Sequence, residues 1–213
     1  SYAMEQVPVI GAIVKVVTFR EYGRQDNQME ANLKIPEVQI SGDENGENES
    51  LKDAAQELND TIKAYTDEMI AAYEADVKAA GGEGTQAVDL DYEVVTDNDR
   101  LFSLRFCQTV TMAGAAQMEK IYHIDKQAGK MVTLEDLFQE GADYKTPISE
   151  NIKQQMKEQM AQDESKSYYI GSDVPEWDFK ELPDNANFYV NKSGKLVVVF
   201  DEYQVAPGYM GVV

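Results

Sequence analysis

At 213 residues the chain is long enough to bury a core, as one large domain or two small ones. Its 39 acidic and 19 basic residues leave a formal charge of −20. This argues against binding nucleic acid or docking on anionic lipid, since both need a basic face. The same acidity keeps a domain soluble and draws a basic partner toward it. One cysteine, Cys107, excludes an intrachain disulfide and, lying in a β run, reads as a small strand residue. No stretch approaches the ~20 apolar residues of a membrane span.

Residues 1–20 are apolar, with Glu5, Lys15 and Arg20 as their charges. The β-branched run at 13–19 predicts a strand, set off by Pro8 and Gly11 from a short start. A turn at 22–27 leads to a second strand at 29–40, in which Pro36 marks an edge or a bulge. The acidic, glycine-containing stretch 41–50 is a loop. Ser50 with Asp53 resembles a capping box. Leu51, Ala55, Leu58, Ile62, Tyr65, Met69 and Ala72 then alternate spacings of four and three, the apolar face of a long helix that stops at Gly81-Gly82.

Val88, Leu90, Tyr92 and Val94 alternate with Asp89, Asp91 and Glu93, a strand with one buried and one wet face. A turn at 96–99 leads to a strand at 101–112, where Phe102, Leu104 and Phe106 alternate, and a further strand follows at 118–125. Strands in this meander order imply antiparallel pairing. After a turn at 126–129, residues 133–136 open a short helix with a capping box. Thr146 and Pro147 start another helix, with Ile148, Ile152, Met156 and Met160 as its stripe. Residues 165–185 read as a loop pinned by Trp177 and Phe179, and 187–191 with 195–203 as a hairpin across Lys192-Ser193-Gly194. The fold class is therefore α+β: antiparallel sheets covered by a long helix and a second, shorter helix. The elements divide into two intimately packed sub-domains, 21–84 and 85–213.

The sequence supplies no catalytic constellation. His123 is the sole histidine, so a triad or an ordinary zinc site would have to recruit it. Its mid-strand place between Tyr122 and Ile124 reads as structural. Carboxylate pairs carry no signal among so many acids. The Asp97-Asn98-Asp99 run lacks the glycine and distal glutamate of a calcium loop. No phosphate-binding glycine loop is present, and no metal or cofactor is expected.

The stretch with the most character is the last, where the apolar run Val197-Val198-Val199-Phe200 breaks into Pro207-Gly208 with Tyr203 and Tyr209 on either side. A tyrosine beside a rigid turn is an amphipathic anchor of low entropic cost, suited to a contact surface. The run Tyr122-His-Ile-Asp125-Lys-Gln-Ala-Gly129-Lys-Met-Val-Thr133-Leu-Glu-Asp-Leu-Phe138, then Tyr144-Lys-Thr-Pro-Ile-Ser149, and the ending Val199-Phe200-Asp201-Glu-Tyr203-Gln-Val-Ala206-Pro207-Gly-Tyr209-Met-Gly211 resemble the RsiV-like secreted domain. The opening 20 residues look like the juxtamembrane segment and first strand of the same proteins, so the likeness spans nearly the whole chain.

That resemblance implies an RsiV-type anti-sigma factor: a single-pass membrane protein with an extracellular lysozyme sensor and a cytoplasmic sigma-binding segment. Both the membrane helix and that segment would lie upstream of residue 1. Lysozyme binding would expose the protein to signal peptidase, and further proteolysis would free the sigma factor. The expected interface is Thr111, Met112, Ala113, Gly114 and Ala115 with Pro207, Gly208, Tyr209 and Met210, two loops that fill the enzyme's cleft and would inhibit it. Many relatives read Gly-Gly-Ala-His where this chain has Ala113-Gly114-Ala115-Ala116, which weakens the case for the first loop. Ser1 and Ala3 are small residues at −3 and −1 of a signal-peptidase site with the cut before Met4. A cloning remnant is the other reading of Ser1–Ala3. The competing function is a secreted or lipid-anchored envelope-binding module of the same fold.

Overall fold

The computed structural model of the chain describes residues 13–42 and 48–213. β1 (Ile13–Asp26) and β2 (Gln28–Ser41) form a long antiparallel hairpin. Its turn is at Asn27, in the left-handed region at φ 55°, and the Asn27 amide donates to the Gly82 carbonyl at 3.2 Å. The turn expected at 22–27 is thus displaced to its far end. Tyr22 and Gly23 pair with Leu33 and Asn32, and that pairing overrides the local glycine. Pro36 has the role expected of it, opposite a bulge where the register shifts between Thr18 and Arg20.

α1 (Glu49–Ala80) buries Leu51, Leu58, Ile62 and Met69 as the stripe requires, and stops where Gly81 turns left-handed at φ 59°. The stripe ends on Tyr73 rather than Ala72, which is exposed, because the next residue of that face lies four beyond Met69. Asn48 takes the cap position and Ser50 falls inside the first turn, so the expected capping box does not form.

α1 is also a crossover. It returns the chain so that β3 (Thr85–Asp97) lies parallel to β2, from Gln28 opposite Thr85 to Leu33 opposite Leu90. The sheet is therefore mixed rather than wholly antiparallel. β4 (Leu101–Thr111), β5 (Ala115–Asp125) and the short β6 (Lys130–Met131) complete it in antiparallel order β1-β2-β3-β4-β5-β6 apart from that one pair. Residue 85 opens β3 directly after α1, and the sheet and its core run across it. The main core packs α1 on Ala31, Leu33, Val88, Leu90, Leu104, Phe106 and Ile124. Phe106 is ringed by Tyr65, Tyr92 and Tyr122 at 5.8–6.4 Å between ring centres.

Past β6, the expected short helix is one 3-10 turn, Glu135–Leu137. The Asp136 carboxylate accepts from the Thr133 N–H at 2.8 Å, half of the predicted box. α2 (Lys145–Gln162) starts earlier than predicted. The Asp143 carboxylate, not Thr146, caps it by accepting from the Thr146 N–H at 3.1 Å. β7 (Asn187–Val190) and β8 (Leu196–Val199) form a second, two-stranded sheet. The segment before them is pinned by Phe179, which packs with Met156, Phe200 and Val205, whereas Trp177 is exposed against Tyr169.

The small sheet is fastened to the large one by polar groups. The Thr96 hydroxyl donates to the Val190 carbonyl at 2.9 Å and accepts from its N–H at 3.1 Å. The Asn187 amide accepts from the Ile121 N–H at 3.1 Å and donates to the Glu119 carbonyl at 2.8 Å. Asn187→Ala strips partners from two β5 backbone groups, and a drop of roughly 2 kcal/mol is expected. Urea unfolding should show a lower midpoint with an unchanged slope; an unmoved midpoint rules out Asn187 as the fastening.

Candidate protein-binding surface

The expected interface loops are carried by rigid elements. Thr111 pairs with Ala115 at the end of β4 and β5, and the Met112 N–H donates to the Gly114 carbonyl at 2.9 Å. Residues 111–115 are all exposed, with Met112 60% accessible.

The C-terminal loop is held from both sides. Before it, Phe200 and Val213 exchange backbone hydrogen bonds at 2.6 and 3.1 Å. The apolar run therefore leaves the sheet at Val199, earlier than the predicted end at 203, because Phe200 pairs with the chain's last residue. Inside the loop, Val205 and Ala206 are buried, and the Val205 carbonyl accepts from Tyr169 at 2.7 Å. Pro207 then opens a 3-10 turn, Gly208–Met210, from which Tyr209 projects with 70% of its surface exposed.

Tyr203 belongs to this surface, although it stands outside the set expected from sequence. It adopts φ 69°, a left-handed conformation that a bulky residue rarely takes, and is 56% exposed. The end of its ring lies against Gly208: a Cβ there would sit 2.3 Å from Tyr203 Cζ. Gly208 therefore gives the Tyr203 ring room, and a larger residue there would push that ring aside. The signal was the Tyr-x-x-x-Pro-Gly spacing, but nothing local in it foretells the strain.

The two loops are joined through β5. The Glu202 N–H donates to the Gln117 carbonyl at 3.0 Å, and the Glu202 carboxylate accepts from the Gln117 N–H at 2.9 Å. Beside them the Asp201 carboxylate accepts from the Glu119 N–H at 2.7 Å. Gln117 is two residues past Ala115, and Glu202 is five before Pro207, so this clamp ties the segment that leads into the second loop to the start of β5. Ser1, Ala3 and Met4 lie outside the described residues.

Burial raises the Asp201 carboxyl above the usual range, with the Glu119 charge adding to it against the Glu119 N–H. Glu119 is itself buried and paired with Arg105 at 2.7 Å, which also holds Glu93 at 3.1 Å. Cys107, on the same face, is pushed up to about 12 by burial and is not a thiolate nucleophile. His123 is buried, its Nδ1 is 2.8 Å from the Ser103 hydroxyl, and its ring stacks on Phe188 at 3.9 Å. Asp89, Asp91 and Glu93 lie exposed on β3, and Asp97 pairs with Lys126. Among the described residues, no group of three or more His, Cys, Asp or Glu side chains converges to hold a metal ion, and no helix is long and apolar enough to cross a membrane.

Residues 135–213 match the family described as a protein of unknown function, DUF3298. Over 212 residues the chain is 36% identical to the anti-sigma-V factor RsiV of Bacillus subtilis (strain 168), spanning 99% of this chain and 70% of that protein. Two crystal structures of DUF3298 family proteins share the fold at 14% identity. One, from Bacteroides fragilis, has a TM-score of 0.57 over 95% of this chain and 89% of that one. The other, from Pseudomonas aeruginosa, has a TM-score of 0.61 over 94% and 88%.

Burial pulls His123 down to about 3 from an ordinary 6.5. The unfolded chain therefore takes up a proton first as pH falls, and stability is lost from about pH 6.5 toward pH 3, by at most about 1.4 kcal/mol per unit. The stability gap between the native protein and His123→Gln should shrink between pH 7 and pH 4.5 in urea titrations. A constant gap removes His123 from the acid response.

Proposed function

Because this chain belongs to the family of the anti-sigma-V factor RsiV, we propose that it is the extracytoplasmic sensor of a membrane-anchored anti-sigma factor and that lysozyme is its ligand. The family assignment rests on 36% identity along 99% of the chain. The single observation that supports the rest is the clamp between Gln117 and Glu202, which ties the segment leading to the exposed Tyr209 turn to the start of β5. Paired projecting loops on a rigid sheet suit entry into a concave partner, such as the cleft of a glycan hydrolase. Occupying that cleft would inhibit the enzyme.

The formal charge of −20 supports a basic ligand. Charge of that size speeds encounter at low ionic strength and loses its reach as salt shortens the screening length to about 8 Å at physiological strength. The role is regulatory rather than catalytic: binding is read out as cleavage by signal peptidase near Ser1, Ala3 and Met4, at the start of the chain that leads into β1. Sigma factor, bound by a cytoplasmic segment, is then released after further proteolysis.

Tyr209→Ala should weaken lysozyme binding by ~2 kcal/mol or more, as loss of an aromatic anchor does. Calorimetry with the native protein and the variant checks this, and equal affinities discard Tyr209. Raising salt should slow association far more than it speeds dissociation. If the native protein captures no lysozyme at low salt, the ligand assignment is wrong.

A further inference from the structure

Next to the β4–β5 loop lies a cleft of about 390 Å³ between the C-terminal half of α1, the start of β3 and the end of β4. Among the described residues, the buried side-chain polar atoms without a hydrogen-bond partner are Tyr73 Oη and Gln86 Oε1, and both residues line this cleft. Gln86 is 6% exposed. Its Nε2 donates to the Asp76 carboxylate at 3.2 Å, so its carbonyl oxygen is the group left to accept. A buried acceptor without a donor costs about 1–3 kcal/mol, and such groups in native proteins are met by water or by a ligand.

The lining specifies the donor. Asp76 and Glu68 stand exposed at the rim, no basic residue lines the cleft, and the walls include the apolar Met69, Val88 and Val110. Carboxylates and an amide carbonyl above apolar walls suit a cation on an aliphatic stem. A guanidinium brings five N–H donors in a planar fork and gives up its hydration more readily than an ammonium, so arginine fits better than lysine. The cleft also adjoins the proposed interface: Val110 lines it, and the next residue, Thr111, opens the loop.

We propose that this cleft receives an arginine side chain of the basic protein that docks on the two loops. The pocket supplies specificity where overall charge supplies only attraction. This rests on the sensor reading for the identity of the partner, but not for the chemistry of the pocket.

The test uses two measurements on the whole chain. The first is NMR titration with Nα-acetyl-arginine amide, with the acetyl-norleucine and acetyl-lysine amides as comparisons. A saturable shift of the Gln86 side-chain amide, largest for arginine and lost in Glu68→Gln/Asp76→Asn, is expected. No shift, or an equal one with norleucine amide, means that water alone satisfies Gln86, and the proposal falls. The second is lysozyme affinity, where that double variant should lose about tenfold while Asp53→Asn/Glu57→Gln, which removes the same charge elsewhere on α1, loses less. If lysozyme binds the native protein and both double variants equally, the cleft is refuted and the sensor reading stands. If the native protein binds no lysozyme, the sensor reading fails, and the arginine titration alone decides the cleft.

Discussion

A strand at the edge of a sheet exposes N–H and C=O groups that must be bonded or hydrated, and that invite pairing with another chain. β6 covers only Ile124 and Asp125 of β5. Much of the rest of that edge is met by side chains rather than by a strand: Asn187 serves Glu119 and Ile121, Asp201 serves Glu119, and Glu202 serves Gln117, with the Glu202 and Val132 N–H groups donating to the Gln117 and His123 carbonyls. This choice has two consequences. The edge is closed to strand addition without a further strand being spent on it. Each capping residue also carries its own loop to a fixed place, because a side-chain amide or carboxylate bonds in one geometry along the ladder. The placing of Asp201 and Glu202, which lead into the Tyr209 turn, on β5 is thus a product of edge satisfaction.

The same device operates on the other side of the sheet. β2 and β3 part beyond Leu33 and Leu90, and Asn59 on α1 accepts from the Val38 N–H at 2.8 Å and donates to its carbonyl at 2.9 Å. There it fixes the helix to the sheet, so that α1 is registered by a polar pair as well as by its apolar stripe. A helix held in this way has a defined rotation, which matters for Glu68 and Asp76 at the cleft rim. The left-handed Tyr203 stands in contrast. Strain of that kind costs on the order of 1–3 kcal/mol and persists only where the surroundings over-determine it. Here the clamp at Glu202 on one side and the buried Val205-Ala206 pair on the other hold it in place.

Local pattern was enough to locate α1, because seven apolar positions in register leave no second phase for the helix and Gly81 supplies its stop. Period-two alternation was equally sufficient for β4, where Phe102, Leu104 and Phe106 are all buried. What the sequence could not show was parallel pairing of β2 with β3, since the pairing depends on the path of α1 across the sheet and not on any residue in either strand. Nor could it show which acids carry structure. Asp143 and Asp201 look like any of the other carboxylates until Thr146 and Glu119 are seen beside them. Asn187 and Ile121 are 66 residues apart, and no spacing rule reaches that far. The projecting turn was legible because Pro-Gly and its tyrosines are a local signal; its neighbour in space was not.

Charge and burial act in opposite senses around the surface, and this bears on how a sensor of this kind discriminates. Most of the −20 is solvated, so it attracts any basic protein and selects weakly among them. Glu119, by contrast, is buried with Arg105, and Asp201 sits beside it with its carboxyl raised, a cluster already committed to holding the loop. A raised carboxyl favours its protonated form in the fold, so this group adds stability as pH falls, against the trend set by His123. Breaking the Glu119–Arg105 pair would leave a buried charge uncompensated, which costs far more than such a pair contributes when intact. The acids that fix geometry are therefore unavailable to a ligand, and exposed acids away from the α1 cleft attract one without specifying it. Specificity has to come from shape: the aromatic turn, the loop at residues 111–115, and a cleft whose one unpaired carbonyl is buried deeply enough for the donor to matter.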